Sequence, residues 1–133
     1  MNCRIVNLIK HGDNRGQLIA IEELSDVIDF EIKRVYYIFD NIQGVRRGFH
    51  AHKKLKQILI CTSGSCKIHL DDGKETEEVL LDRPDKGLII TSNIWREMYD
   101  FSPGTVLMVL ASEKYNEEDY IRNYEDFIKY IRG

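Results

Sequence analysis

The stretch RRGFHAHKKLKQ, Arg46 to Gln57, places His50 and His52 one residue apart inside a run of positive charge. On a strand, residues two apart project to the same face. Both imidazoles therefore point together, and the apolar segments around them predict the interior of a barrel. Paired imidazoles suit either of two chemistries, a metal site or a site that moves protons.

Outward from this stretch, the first ~110 residues read as short strands punctuated by turns. QLIAIEE follows the turn-like GDNRG, and EIKRVYYIFD is rich in β-formers. QILICTS and CKIHLDDG flank Gly64 like the arms of a hairpin, and DDGK closes the second arm. EEVLL, KGLIIT and VLMVLAS follow at similar spacing. This rhythm predicts an all-β sandwich or barrel.

The tail differs. Asn116 is placed to cap a helix whose first turn holds Glu117, Glu118 and Asp119. Tyr120, Tyr124, Phe127, Ile128 and Ile131 recur at helical spacing, and Gly133 ends the pattern. That stripe is expected to pack against the barrel.

The chain has 133 residues, enough for one domain (residues 1–133) around one core. Its net charge of -3 argues against nucleic acid, no run is long and apolar enough to span a membrane, and the N-terminus shows no secretion signal. The odd count of cysteines, Cys3, Cys61 and Cys66, fits reduced thiols and a cytoplasmic location. On this acidic background, Arg46, Arg47, Lys53, Lys54 and Lys56 form a local basic excess with no acid between Arg46 and Gln57. A bound anion or a lysine-guarded strand edge accounts for it equally. Arg47 is the stronger ligand candidate, because its planar fork matches phosphate oxygens, and a small diphosphate fits better than a polynucleotide. Upstream, Val35, Tyr37 and Phe39 share one face of a strand, and Arg34, Tyr36 and Ile38 the other. Tyr37, on the more apolar face, suits equally a hydrogen bond to a ligand inside the barrel or core packing with its hydroxyl satisfied. Trp95 suits either packing or stacking on a ring.

The spacing around the histidines resembles the first cupin motif: Gly44, five residues, His50-x-His52, four residues, Gln57, six residues, Gly64. A glutamate normally stands where this chain has Gln57. The second cupin motif normally supplies another histidine, and GLIITSNIWREM puts Arg96 there. An amide and a permanently charged guanidinium replace a carboxylate and an imidazole, so a catalytic metal is not expected. The histidines are read as proton carriers.

RGQLIAIEE, IKRVYYIFD, RGFHAHKKLKQILIC, WREMYDFS, MVLAS and DYIRNYEDF together resemble one cupin branch, the sugar 3,4-ketoisomerases, from about Arg15 to Tyr130. The resemblance implies a metal-free cupin jelly-roll barrel with a C-terminal helix and no redox cofactor. It implies a homodimer with an N-terminal strand exchanged between subunits. It also implies a dTDP-linked 4-keto-6-deoxyhexose as substrate, in bacterial deoxysugar synthesis such as that for lipopolysaccharide or S-layer glycans. The implied reaction moves the carbonyl from C4 to C3 through an enediol. Carried onto this chain, His52 is the base at C3, His50 its partner acid or base, and Tyr37 a hydrogen-bonding or proton-shuttling group. Arg47 would hold the diphosphate, with Arg34 and Arg122 adding to nucleotide binding. Arg122 has a second reading, a surface helix residue paired with Glu118. Arg15 and Arg96 would lie near C4, and Arg15 favours the galacto product. Three other readings compete: an epimerase of the same sugars, a non-catalytic sugar-sensing cupin, and a metal-dependent cupin oxygenase.

Overall fold

The computed structural model describes residues 1–133. One sheet runs in the order β1 (Cys3–Asn7), β9 (Lys86–Ile90), β6 (Gln57–Ser63), β11 (Val106–Ala111), β4 (Arg34–Ile38). The facing sheet runs β12 (Tyr120–Ile121), β5 (Arg47–His52), β10 (Trp95–Tyr99), β7 (Cys66–Asp71), β8 (Thr76–Leu81). A separate hairpin joins β2 (His11–Asp13) and β3 (Gly16–Leu18). All pairings are antiparallel. The expected all-β barrel with a C-terminal helix is the fold the chain adopts.

The sheets close on a core that includes Leu59, Cys61, Cys66, Ile68, Leu88 and Leu107. Strand β6 reads QILIC without alternation because both of its faces are covered. Leu59 and Cys61 point into the barrel, while Ile58 and Ile60 point outward and are 0% and 2% exposed. Their cover is the irregular segment Ile19 to Ile32, which lays Ile28 and Phe30 on them together with Ile89 and Leu110.

Three expectations change. QLIAIEE supplies only the end of β3; from Ile19 onward the chain leaves strand pairing to lie on the outside of the first sheet. QILICTS and CKIHLDDG are not hairpin arms, because β6 and β7 belong to different sheets. Gly64, at φ 74°, carries the chain across the barrel end, and the Ser65 N–H is held by Ser102 Oγ at 2.9 Å. The hairpin lies one strand later, between β7 and β8, where the Asp72 carboxylate accepts from the Lys74 and Glu75 N–H groups.

The third change is in the tail. Asn116 caps only a 3₁₀ turn, Glu117–Asp119, after which β12 pairs with β5. Helix α1 is Tyr124–Arg132, capped by Asn123, whose side chain accepts from the Asp126 N–H. A two-residue ladder with Ala51 and His52 overrides the helical tendency at Tyr120. The apolar stripe does pack on the barrel: Phe127 is fully buried against Ala51, Trp95 and Ile121. No helix is long and apolar enough to cross a membrane.

Candidate active site

The site begins at an irregularity in β5. Gly48 and Phe49 have φ of 91° and 56°, opposite a register shift between Arg96 and Glu97 on β10. Position 48 requires glycine twice over, since a Cβ there would also meet the Arg96 carbonyl oxygen at 2.9 Å. The bend brings His50 Nδ1 to 3.1 Å from the Gly48 carbonyl, which only accepts, so Nδ1 carries the hydrogen. Beyond it, the two imidazoles share one face as the spacing predicted, edge to face with centroids 4.9 Å apart. Tyr120 packs on both rings, at 5.1 Å from His50 and 4.3 Å from His52.

His52 is 1% exposed, with Nδ1 3.0 Å from Asp119 Oδ2. Its Nε2 is buried and has no hydrogen-bond partner in the chain. The ring borders a cavity of about 770 Å³ that also receives Lys33, Arg34, Lys54, Lys114 and Tyr115. Four cations against Glu113 and Asp119 make this cavity a fitting receptor for an anionic ligand.

Both imidazoles are held neutral. Burial, and then the Arg96 guanidinium, push His50 down to about 4 and hold His52 well below the usual imidazole range. Asp119 favours a charged His52, but desolvation and the surrounding cations outweigh it. The contact is therefore an imidazole N–H donated to a carboxylate rather than an ion pair. Because the folded pKa values lie below the unfolded value of about 6.5, the unfolded chain binds more protons under acid conditions. Stability is expected to be unaffected by these groups above pH 6.5 and to fall as pH drops from 6.5 towards 4. The loss is up to about 2 kcal/mol per histidine by pH 5. Urea titrations at pH 7 and pH 5 check this: a double His50→Asn, His52→Asn variant should lose less stability than the parent between them.

The cupin departures meet in space. Arg96 is 1% exposed and donates through Nη1 to Gln57 Oε1 and through Nη2 to the Ile94 carbonyl at 3.0 Å. Gln57 Nε2 in turn donates to Tyr36 Oη at 3.0 Å. Burial lowers Arg96 only to about 10, so it stays charged at neutral pH. No group of three or more His, Cys, Asp or Glu is placed to hold a metal ion.

Residues 1–132 match the family FdtA: WxcM-like, C-terminal. A TDP-4-oxo-6-deoxy-alpha-D-glucose-3,4-oxoisomerase from Aneurinibacillus thermoaerophilus is 53% identical, over 98% of this chain and 94% of that protein. This chain belongs to the FdtA/WxcM-like family. Among solved structures, a TDP-quinovose 3,4-ketoisomerase from Campylobacter jejuni is 55% identical, with TM-score 0.92 over 96% of this chain and 98% of that one. A mutant of the Thermoanaerobacterium thermosaccharolyticum 3,4-ketoisomerase QdtA, in complex with TDP-4-keto-6-deoxyglucose, is 45% identical. It superposes with TM-score 0.95 over 98% of this chain and 94% of that one.

Within this FdtA-like chain the other candidates scatter. Arg34 lines the cavity, its guanidinium 5.2 Å from the Tyr36 ring and its Nε buried without a partner. Tyr37 is not inside the barrel: it is 62% exposed, and Tyr36 on the opposite face takes the interior position. The inward face of β4 meets Gln57, which holds Arg96, so the polar side of the strand turns in and the apolar side turns out. Arg47 is exposed, bonded to Asn41 Oδ1 at 3.1 Å, and does not line the cavity. Arg122 covers the Tyr120 ring at 4.2 Å and pairs with Glu117 at 2.6 Å, not with Glu118. Arg15 sits on the β2–β3 turn with its side chain 86% exposed, paired with Asp13 at 2.7 Å, and reaches none of these groups. Trp95 packs against α1 and donates to Glu97. Asp119, Tyr36 and Tyr120 also touch these groups, and the sequence had not singled them out for it. For Asp119 the sequence offered its place after the Asn116 cap and at the start of DYIRNYEDF, and neither marked it as a partner of His52.

Proposed function

We propose that this chain is a sugar 3,4-ketoisomerase acting on dTDP-4-keto-6-deoxyglucose without a metal. The observation that carries this reading is the unpartnered, buried Nε2 of His52, on a ring that packs against a second neutral imidazole and borders a cation-lined cavity. His52 takes the hydrogen from C3 of the sugar, and the electron pair of that bond forms C3=C4 while the C4 carbonyl becomes a hydroxyl. The C3 hydroxyl of the enediol then loses its proton to become the new carbonyl, and C4 gains a proton, with His50 as the partner acid or base. Two protons leave, from C3 and from its hydroxyl, and two arrive, at C4 and at its oxygen, so the exchange balances and no electrons leave the sugar. The buried Arg96 charge repels a divalent ion and favours the oxyanion of the enediolate. Lys33, Lys54, Lys114 and Arg34 give the diphosphate its cationic surroundings, a role first expected of Arg47.

The reading includes a homodimer working in the cytoplasm. Val35 and Tyr37 on the free edge strand β4 and Phe39 just beyond it are 55%, 62% and 56% exposed, an apolar strip suited to a second copy. The N-terminal segment expected to exchange holds β1, which pairs with β9, and the β2–β3 hairpin, which pairs only with itself. Exchange would carry Arg15 to the partner's site, and the galacto product depends on that delivery.

Incubation with dTDP-4-keto-6-deoxyglucose in D₂O, followed by NMR of the ring protons, should show the carbonyl at C3 and deuterium at C4. A product that keeps its C4 ketone and gains deuterium at C3 or C5 would establish the epimerase instead.

A further inference from the structure

We infer that Asp119 is a positioning residue that fixes the tautomer of His52, leaving Nε2 free to take a proton; the inference rests on the reading of His52 as the base. Asp119 closes the 3₁₀ turn capped by Asn116, and the two residues after it pair with Ala51 and His52. Its backbone carbonyl accepts the Lys53 N–H at 3.0 Å. Its Oδ1 accepts the Lys54 N–H at 2.8 Å, which commits that oxygen to a backbone donor. Oδ2 is left facing His52 Nδ1 at 3.0 Å. A carboxylate only accepts, so Nδ1 carries the hydrogen and Nε2 keeps its lone pair.

The other charged or titratable neighbours of His52 are Arg34 from β4, His50 from β5, Arg96 from β10, and Tyr120 and Arg122 from the tail. The cations among them disfavour an imidazolium. Asp119 therefore acts on orientation and proton placement without giving the ring a standing charge. The strand register reinforces this, since Tyr120 lies opposite His52 and packs on its ring.

Asp119→Asn discriminates because of Lys54. That backbone N–H still needs an acceptor, so the asparagine oxygen stays there and the NH₂ turns to His52. A donor now faces Nδ1, the hydrogen moves to Nε2, and the base is blocked. We expect kcat to fall about 100-fold or more with little change in KM. Asp119→Glu, which restores an acceptor, should recover part of the loss. Nitrogen-15 NMR of the unliganded wild-type protein should show His52 protonated at Nδ1, and the tautomer should reverse in the asparagine variant. Wild-type His52 protonated at Nε2, or an asparagine variant with undiminished kcat, would overturn the inference. The wild-type spectrum decides the pairing even if the variant does not fold. A wild-type protein with the expected tautomer but no turnover of the keto sugar would sink the isomerase reading and leave the pairing standing.

Discussion

Replacing His52 by asparagine is expected to lower kcat by roughly 10²–10⁴-fold, the usual contribution of a positioned general base. Asparagine keeps most of the volume of a side chain that is 1% exposed, so the barrel should remain folded. TDP binding should also persist, because the cationic groups around the cavity come from Lys33, Arg34, Lys54 and Lys114. The variant should show no exchange of the C3 hydrogen with D₂O. His50→Asn should behave differently: if His52 is the base and His50 the acid, exchange at C3 continues while product formation collapses. Full turnover by the His52 variant would remove the base from the mechanism. Exchange surviving in that variant but not in the His50 one would invert the two roles.

Phe127→Ala should cost about 3–5 kcal/mol of stability, the range for truncating a fully buried phenylalanine. Phe127 is 0% exposed and anchors α1 on Ala51, Trp95 and Ile121. Two of those neighbours adjoin site residues directly: Ala51 lies between His50 and His52, and Ile121 follows Tyr120. The variant should therefore lose activity at a lower temperature than that at which the main β signal melts. Circular dichroism and activity followed through one thermal ramp provide the comparison. Coincident, unshifted transitions would show that the helix does not support the site.

Much of this was legible in the sequence, and the exceptions have physical causes. The runs that became β6, β7, β8, β9 and β11 were marked by β-formers and turns, and the shared face of His50 and His52 followed from the period of a strand. Alternation also divided β4 correctly into two faces, but not which one turned inward. Choosing the more apolar face selected Tyr37, whereas at this end the barrel is lined by Gln57 and Arg96 and draws in Arg34 and Tyr36 instead. Asp119 escaped for another reason. It meets His52 across 67 positions of chain, and no local period encodes a contact at that separation. The Asn116 cap was real but served a single turn, because pairing of Tyr120 and Ile121 with β5 outweighed helix continuation.

The cover over β6 bears on how the protein should be handled. Residues 19 to 32 hold no regular hydrogen-bonded structure, yet they alone lay Ile28 and Phe30 over Ile58, Ile60, Ile89 and Leu110. Beneath them lies a β-prone run without a charge from Gln57 to Ser63. Proteolytic nicking or thermal loosening of that flap would bare a sticky sheet face and invite aggregation well before the barrel itself came apart.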